Sequence, residues 1–210
     1  MTEHRIFPER SERTLTLFII AKLKMEGGSE GLCRVRNVSA GGLMLETRMS
    51  LDAGDRVLIE FRGNRLLRGA VVWTGDRRAG VAFDQPIAVT NLLGTGEPRA
   101  SRLSRARQPR GPRVLVDCPI EIQLDDGRIG ARLVDISQGG ARLALPLATR
   151  RDDRMILMIP GLPLKLGIVR WSGSEVGVAF AEPLKFDLLS EWLLVRAAGE
   201  YRYEEANGAG

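Results

Sequence analysis

Short segments in which polar and apolar residues alternate run along most of the chain and predict β-strands. Thr14–Lys24 starts with this alternation and becomes apolar at Phe18–Ile20. Arg113–Leu124 has the same character, and the many Val, Leu, Ile and Thr residues of both segments favour strands. The other predicted strands lie between turns that contain Gly, Asp or Asn. They are Leu32–Val38, Leu43–Glu46, Arg56–Phe61, Leu66–Trp73, Ala79–Phe83, Ile129–Ile136, Ala141–Ala144, Arg154–Ile159, Leu164–Trp171 and Glu175–Phe180.

One segment near the C-terminus has a helical pattern instead. Apolar residues recur at spacings of three and four from Phe186 to Arg196, which predicts an amphipathic helix. Asp187 lies near its start and Arg196 near its end, in line with the helix dipole. A shorter helix is predicted over Ala88–Leu93, and Glu204–Gly210 is predicted to be a disordered tail.

The chain contains an internal repeat. Asn37-Val-Ser-Ala-Gly-Gly42 recurs as Asp135-Ile-Ser-Gln-Gly-Gly140, about 98 residues further on. Gly80-Val-Ala-Phe83 recurs at nearly the same offset as Gly177-Val-Ala-Phe180. A period of this length suits a small complete domain rather than a solenoid unit. Six short strands in each copy, about ten residues apart, suggest a closed antiparallel barrel.

The composition is that of an ordinary soluble protein, with 44% hydrophobic and 27% charged residues. No apolar run is long enough to cross a bilayer, and the polar residues 1–13 do not resemble a secretory signal. The two cysteines, Cys33 and Cys118, suit a reducing compartment, so we expect a cytoplasmic protein. The single histidine, His4, excludes sites built on several histidines, and no metal or cofactor is expected.

The net charge of +5 is concentrated in one segment. Residues 99–113 contain six arginines and no acidic residue, and the rest of the chain is nearly neutral. Arginine recognises phosphate and guanine better than lysine does, because its planar guanidinium donates two hydrogen bonds side by side. A GC-rich coding sequence gives the same bias, so the bias alone does not identify a ligand.

In both copies an arginine-rich segment, a long strand and the motif Asp/Asn-x-Ser-x-x-Gly follow one another, and this order resembles the PilZ domain family. A tryptophan at equivalent positions, Trp73 and Trp171, and the Gly-Val-Ala-Phe strand add to the resemblance, which covers about residues 10–93 and 107–197. The resemblance implies a mainly all-β protein with two tandem six-stranded antiparallel barrels, each followed by a short helix. Many members of this family are bacterial receptors for the second messenger cyclic di-GMP.

The same resemblance divides the chain into parts. An N-terminal PilZ-like domain is expected at residues 1–93 and a basic flexible linker at 94–109. A C-terminal PilZ-like domain with its helix is expected at 110–203, followed by the disordered tail at 204–210. These parts include no output domain, so any signal must pass to another protein.

The resemblance also implies a ligand site in each copy. The family's first motif is Arg-x-x-x-Arg, but both copies have Arg-x-x-Arg, because Glu9 and Pro109 stand where the first arginine would be. The second motif is intact in both copies. The expected cyclic di-GMP-binding residues are Arg10, Arg13, Asn37, Ser39 and Gly42 in the first copy and Arg107, Arg110, Arg113, Asp135, Ser137 and Gly140 in the second.

These residue types suit a ligand with two phosphates and two guanines. Arginine pairs with phosphate or donates to guanine O6 and N7, and carboxylate, amide and hydroxyl oxygens accept from guanine N–H groups. Loss of one paired arginine–guanine contact weakens binding by about 10–100-fold. Because the second copy has more arginines and the acidic form of the second motif, we predict that it binds more strongly.

Each candidate residue also has a structural interpretation. The arginines can be solvated residues that bind nothing, and Asn37, Asp135 and the two serines can cap the turn before the paired glycines. Trp73 and Trp171 are expected to pack against neighbouring strands rather than to serve as ligand platforms. Both cysteines are expected to be inert strand residues.

The main hypothesis is a receptor that binds cyclic di-GMP, changes its arm and inter-domain conformation and signals to an unidentified protein partner. The alternative is a degenerate PilZ protein-interaction module that does not bind nucleotide, favoured by Glu9 and Pro109. Nucleic-acid binding through Arg99–Arg113 is a weaker hypothesis, because aromatic residues make up only 5% of the chain. No nucleophile–base set or metal cluster indicates an enzyme, and no membrane insertion is expected.

Overall fold

The computed structural model of the chain describes residues 15–61, 65–90, 111–125, 127–197 and 199. Within these residues, two closed barrels of six antiparallel strands follow one another along the chain. The first barrel consists of β1 (Leu15–Met25), β2 (Glu30–Val38), β3 (Gly42–Thr47), β4 (Arg56–Phe61), β5 (Arg65–Gly75) and β6 (Arg78–Phe83). The second barrel consists of β7 (Val114–Leu124), β8 (Gly127–Ser137), β9 (Gly140–Ala144), β10 (Arg154–Met158), β11 (Lys165–Ser172) and β12 (Val176–Phe180), followed by helix α1 (Phe186–Ala197).

All twelve predicted strands are confirmed, with ends that differ by one or two residues. The strand order around the barrel is β1-β2-β3-β6-β5-β4 in the first copy and β7-β8-β9-β12-β11-β10 in the second. The barrels close through the pairing of β1 with β4 and of β7 with β10. Closure leaves these twelve described strands without a free sheet edge on which another chain could pair.

The two barrels share their irregularities as well as their order. The pairing of β2 with β3 shifts register between Val35 and Asn37, and that of β8 with β9 shifts between Leu133 and Asp135. A bulge bends a strand and re-aims the side chains that follow it. In both copies the bulge therefore lies immediately before the polar residue that begins the second motif.

Each barrel has its own core of inward-facing apolar residues. Leu23, Leu45 and Ile59 are fully or almost fully buried in the first core, and Leu133 and Leu157 are fully buried in the second. Alternation along each strand produces this core, because successive side chains point to opposite faces of the sheet. Every second residue therefore faces outward and is available for a site on the barrel surface.

Helix α1 packs against the second barrel. Leu189 and Trp192 are buried in its core, and the Trp192 Nε1–H donates to the Pro160 carbonyl at 2.7 Å. The predicted helix over this segment is confirmed. Of the shorter helix predicted over Ala88–Leu93, residues 89–90 have helical backbone, while residues 91–93, like the predicted linker, lie outside the described residues.

Helix α1 also packs against β2 of the first barrel. Leu32 points outward from its own barrel, yet only 2% of it is exposed, because it joins the apolar cluster of the second barrel. The Arg34 guanidinium lies 4.4 Å from the centre of the Phe186 ring. Arg48 and Glu191 form an ion pair at 3.5 Å. Apolar burial and charged contacts thus join the barrels.

Candidate ligand site

The serine of the second motif closes a tight turn in both barrels. In the first barrel, the backbone N–H and the hydroxyl of Ser39 both donate to the Gly42 carbonyl, at 2.8 and 3.1 Å. In the second, the Ser137 hydroxyl donates to the Gly140 carbonyl at 3.1 Å. These bonds confirm the turn-capping interpretation of both serines.

The last glycine of the motif is required by packing. A Cβ on Gly42 would lie 2.4 Å from the Val81 carbonyl oxygen, and one on Gly140 would lie 2.2 Å from the Val178 carbonyl oxygen. Both distances are far inside van der Waals contact with backbone. The glycine therefore allows β3 and β9 to begin directly against β6 and β12.

The turn itself is fixed to the end of the last strand of each barrel. The Gly41 carbonyl accepts from the Phe83 N–H at 2.9 Å, and the Gly139 carbonyl accepts from the Phe180 N–H at 3.0 Å. In the second barrel the Leu184 N–H also donates to the Gln138 carbonyl at 2.7 Å, just before α1. The motif turn is thus a rigid platform connected to the helix.

In the second barrel, Asp135 lies at the centre of a charged network. Only 5% of Asp135 is exposed. Its Oδ1 accepts from Arg113 Nη1 at 2.5 Å and its Oδ2 accepts from Arg142 Nε at 2.7 Å. Arg142 Nη1 continues the network to Glu175 Oε2 at 2.9 Å. Both oxygens of a nearly buried carboxylate are therefore held by arginine, which compensates its desolvation.

Arg142 stays charged in this network. Burial lowers the pKa of its guanidinium, but the carboxylates of Asp135 and Glu175 raise it by more, so the net pKa lies above the usual value. Arginine presents its donors as a rigid fork, which here joins two acids. The result is an ordered pair of guanidinium groups, Arg113 and Arg142, on the barrel surface beside the motif.

The first barrel has the same backbone but different chemistry at these positions. Asn37 replaces Asp135, and the strand registers place Met44 opposite Asn37, where Arg142 lies opposite Asp135. Here the surface is concave: a cavity of about 380 Å³ is lined by residues of the motif and its neighbours, among them Asn37, Ser39, Gly42, Met44, Trp73 and Gly80. The first site is therefore an open, largely uncharged recess.

The repeated tryptophans pack across the barrel surface onto a glycine. A Cβ on Gly80 or on Gly177 would lie only 2.0 Å from the Nε1 of Trp73 or of Trp171. Each indole therefore lies on the bare backbone of the neighbouring strand, which confirms the packing interpretation. However, 43% of Trp73 remains exposed, and it lines the recess beside the motif, so its outer face is also available to a ligand.

The two cysteines belong to the barrel cores and not to this surface site. Cys33 is fully buried, and desolvation raises the pKa of its thiol to about 12, despite a backbone hydrogen bond from Ala21 that lowers it. Burial also raises the pKa of Cys118. Neither thiol is poised as a nucleophile, which agrees with the prediction of inert strand residues. In the described part of the chain, no group of three or more His, Cys, Asp or Glu side chains could hold a metal ion.

The structure brings Arg113, Asp135, Ser137 and Gly140 together at one end of the second barrel. Asn37, Ser39 and Gly42 occupy the equivalent place in the first. The remaining predicted site residues lie outside the described residues, as do the two departures from the first motif; these are Arg10, Arg13, Arg107, Arg110, Glu9 and Pro109.

Two members of the network, Arg142 and Glu175, were not predicted from the sequence. Asp135 and Arg142 flank the Ser137–Gly140 turn and are paired directly across β8 and β9. Residues on either side of a tight hairpin face each other across the strands, so opposite charges flanking the motif turn were the available signal. Glu175 gave no comparable signal, because it comes from a turn distant in sequence.

Two six-stranded barrels follow one another along the chain, and each has an Asp/Asn-x-Ser-x-x-Gly turn at the same place. This arrangement defines a tandem β-barrel protein with one candidate surface site on each barrel. A family model described as the PilZ domain matches the chain at residues 9–93 and 104–193, and the chain belongs to this family. No curated protein gives a significant sequence match. Among the described residues, no helix is long and apolar enough to cross a membrane.

The chain is also similar, at low sequence identity, to several solved structures. PlzA of Borreliella burgdorferi, solved in complex with c-di-GMP, is 12% identical, covers 84% of this chain and 86% of its own, and has a TM-score of 0.34. The inhibitor of motility MotI/DgrA of Bacillus subtilis is 17% identical, with coverages of 90% and 100% and a TM-score of 0.33. YcgR of Escherichia coli, solved in complex with c-di-GMP, is 14% identical, with coverages of 87% and 86% and a TM-score of 0.32.

Proposed function

We propose that this chain is a cyclic di-GMP receptor that passes a conformational change to a protein partner. The observation that carries the proposal is the contact between Arg113 and Asp135, with 2.5 Å between Nη1 and Oδ1. Arg113 ends the arginine arm and Asp135 begins the second motif. The two parts of the family's ligand motif, 22 residues apart in sequence, thus meet at one surface point.

The chemistry of the second site suits a guanine nucleotide with two phosphates. The guanidinium groups of Arg113 and Arg142 can pair with phosphate oxygens or with guanine O6 and N7. Asp135 is the acceptor for guanine N–H groups. We propose Arg107, Arg110, Arg113, Asp135, Ser137 and Gly140 as its ligand-binding residues, and Arg142, which donates to Asp135, as a further one.

Ligand binding at this site requires a rearrangement. Both oxygens of Asp135 already accept hydrogen bonds from arginine, so a guanine edge must displace at least one of them. Arg113 is the member that can leave, because it adjoins the arm, whereas Arg142 is also held by Glu175. The displaced guanidinium is then free to bind phosphate, and the arm orders around the ligand at an entropic cost.

The first site offers a different surface to the same ligand. Its recess has the Asn37 amide, the Met44 thioether and the outer face of Trp73. An indole face stacks on a purine, and an amide oxygen accepts from guanine without the charge of a carboxylate. We propose Arg10, Arg13, Asn37, Ser39 and Gly42 as its ligand-binding residues, and the second site as the stronger of the two.

The conformational change reaches the barrel–barrel interface by a short path. The backbone N–H of Leu115, two residues after Arg113, donates to Glu30 Oε1 of the first barrel at 3.3 Å. A shift of Arg113 therefore acts directly on a hydrogen bond between the barrels. We propose that the domains span residues 1–93 and 110–203 around the linker 94–109, and that a protein partner in the cytoplasm senses their changed packing.

Calorimetric titration of the full chain with cyclic di-GMP, with GTP for comparison, tests the proposal. Selective binding is expected, and Arg113→Ala should weaken it by about 10–100-fold through loss of one arginine–ligand contact. Arg151→Ala is the matched control, since Arg151 is 75% exposed and lies in the connection between β9 and β10. If Arg13→Ala abolished binding while Arg113→Ala left it intact, the second site would not be the stronger one.

The alternative is a PilZ interaction module that does not bind nucleotide. It is favoured by Glu9 and Pro109 in place of the first motif arginines, and by the Asp135 carboxylate, which is already saturated by arginine. On this alternative the network is only structural. Absence of heat, together with an unchanged melting temperature at high ligand concentration, would favour it, because a ligand that binds the native state must raise that temperature.

A further inference from the structure

One outer face of the first barrel is covered by the helix that follows the second. This face consists of outward-pointing residues of β1, β2 and the end of β3, with Leu32 at its centre. Leu32 is buried by α1, Arg34 faces Asp187 with 4.0 Å between Nη2 and Oδ2, and Arg48 pairs with Glu191. The face thus accepts an amphipathic helix that carries acidic residues.

The strand registers identify the equivalent face of the second barrel. Leu23 pairs with Ile59 and with Gly31, while Ile122 pairs with Leu157 and with Ile129, so the two barrels superpose residue for residue here. The covered residues Leu32, Arg34 and Arg48 therefore correspond to Gly130, Arg132 and Pro146.

In the second barrel this same face is an open groove. It has a volume of about 620 Å³, and the residues that line it include Pro119, Gly130, Arg132, Ala144 and Pro146. A Cβ on Gly130 would meet no atom of the described residues within 4 Å, so space is open at the position where Leu32 stands on the first barrel. Pro119, Gly130, Arg132 and Pro146 are exposed.

The floor and rim of the groove have complementary chemistry. The floor is apolar, and its glycine, alanine and proline residues have no side chain or only a small one. Arg128 and Arg132, 65% and 56% exposed, stand on the rim together with Glu121, whose Oε2 lies 3.8 Å from Arg128 Nη1. Arg132 donates to both oxygens of Asp117, which is itself 74% exposed. An exposed ion pair of this kind contributes little to stability, so Arg132 can exchange Asp117 for an acidic group of a partner.

We propose that this groove is a docking surface for an amphipathic, acidic helix of a partner protein. An apolar side chain of that helix enters the space above Gly130, and one of its carboxylates pairs with Arg132, as Asp187 faces Arg34 on the first barrel. The mode is a helix laid in a groove, in which spaced apolar residues supply the anchors. The proposal does not depend on nucleotide binding.

A peptide of residues 185–197 of this chain is the probe, because its helix fits the equivalent face. The labelled peptide is titrated into the full chain, and binding is followed by fluorescence anisotropy. Gly130→Glu, which puts a carboxylate into the apolar floor, and Arg132→Glu should each weaken binding of the acidic peptide by at least about tenfold. Gly173→Glu and Arg151→Glu are matched controls at open, exposed positions away from the groove, and they should leave binding unchanged.

Saturable binding that both groove variants remove supports the proposal. Three results would overturn it. The first is no saturable binding at millimolar peptide. The second is binding that both groove variants leave intact, which would place the peptide elsewhere, for example on the first barrel in place of α1. The third is a dimer in analytical ultracentrifugation that Gly130→Glu dissociates, because the groove's occupant would then be a second copy of this chain. Circular dichroism of each variant shows whether the barrels remain folded.

Discussion

Arg142 lies directly across β8 and β9 from Asp135, and its Nε donates to Asp135 Oδ2 at 2.7 Å. The equivalent pair in the first barrel is Met44 opposite Asn37. The ion pair of the second barrel is thus replaced in the first barrel by an uncharged pair on the same backbone. The two barrels share a fold and a motif turn, but the duplicated surface has diverged in its electrostatics.

Asp135→Asn should destabilise the second barrel. The amide keeps the shape of the carboxylate but loses its charge, so Arg113 and Arg142 lose their common partner in a nearly buried place. We expect a loss of about 1–3 kcal/mol in the free energy of unfolding, typical of a hydrogen bond between charged groups. Urea unfolding followed by circular dichroism measures it. Asp84→Asn, which alters the exposed Arg56–Asp84 pair, is the control and should have no comparable effect; equal losses would show that the network adds nothing.

The fold could be predicted from the sequence because its signals are local and occur twice. Alternation defined the strands, Gly- and Asp-containing turns separated them, and each element in one copy supported its equivalent in the other. The strand ends differ slightly because pairing extends a strand past its apolar residues. Glu30, for example, belongs to β2 through its pairing with Lys24, although neither residue is apolar.

The site could be predicted only in part. The motif residues Asp135, Ser137 and Gly140 are contiguous in sequence, and the structure brings them to one turn. Arg142 required the exact register across β9, and Glu175 required knowledge of how β12 lies beside β9. The groove over Gly130 could not be predicted at all, because it follows from comparing the outer faces of two folded barrels.

Gly42→Ala and Gly140→Ala should each destabilise the protein independently of any ligand. The added methyl would lie 2.4 and 2.2 Å from backbone carbonyl oxygens, and overpacking of this kind costs about 1–3 kcal/mol. Chemical unfolding measures the loss. Gly41→Ala and Gly139→Ala are the neighbouring controls, since a Cβ there meets no atom of the described residues within 4 Å. A stable Gly140→Ala variant that has lost only ligand binding would contradict the packing role.

Leu32→Ala should loosen the contact between the barrels rather than the first barrel itself. Leu32 is buried by the second barrel's cluster, and truncation of a buried leucine costs about 2–5 kcal/mol. We expect differential scanning calorimetry to resolve two transitions where the parent chain shows a more cooperative one. Leu45→Ala, in the first barrel's own core, should instead lower the transition of that barrel. A Leu32→Ala profile identical to the parent's would show that the interface does not couple the barrels.

Stability should fall in alkali because of Cys33. Burial raises the pKa of its thiol from 9.0 to about 12 in the folded chain. A group whose folded pKa is raised contributes stability that is complete below its unfolded pKa and is lost as the pH rises towards the folded one. The contribution therefore declines between about pH 9 and 12, at about 1.4 kcal/mol per pH unit. Cys33→Ala should unfold more readily at neutral pH but lose stability less steeply in this range, as measured by urea unfolding at a series of pH values. Parallel pH profiles for the two proteins would show that the pKa of the thiol is the same in the folded and the unfolded chain.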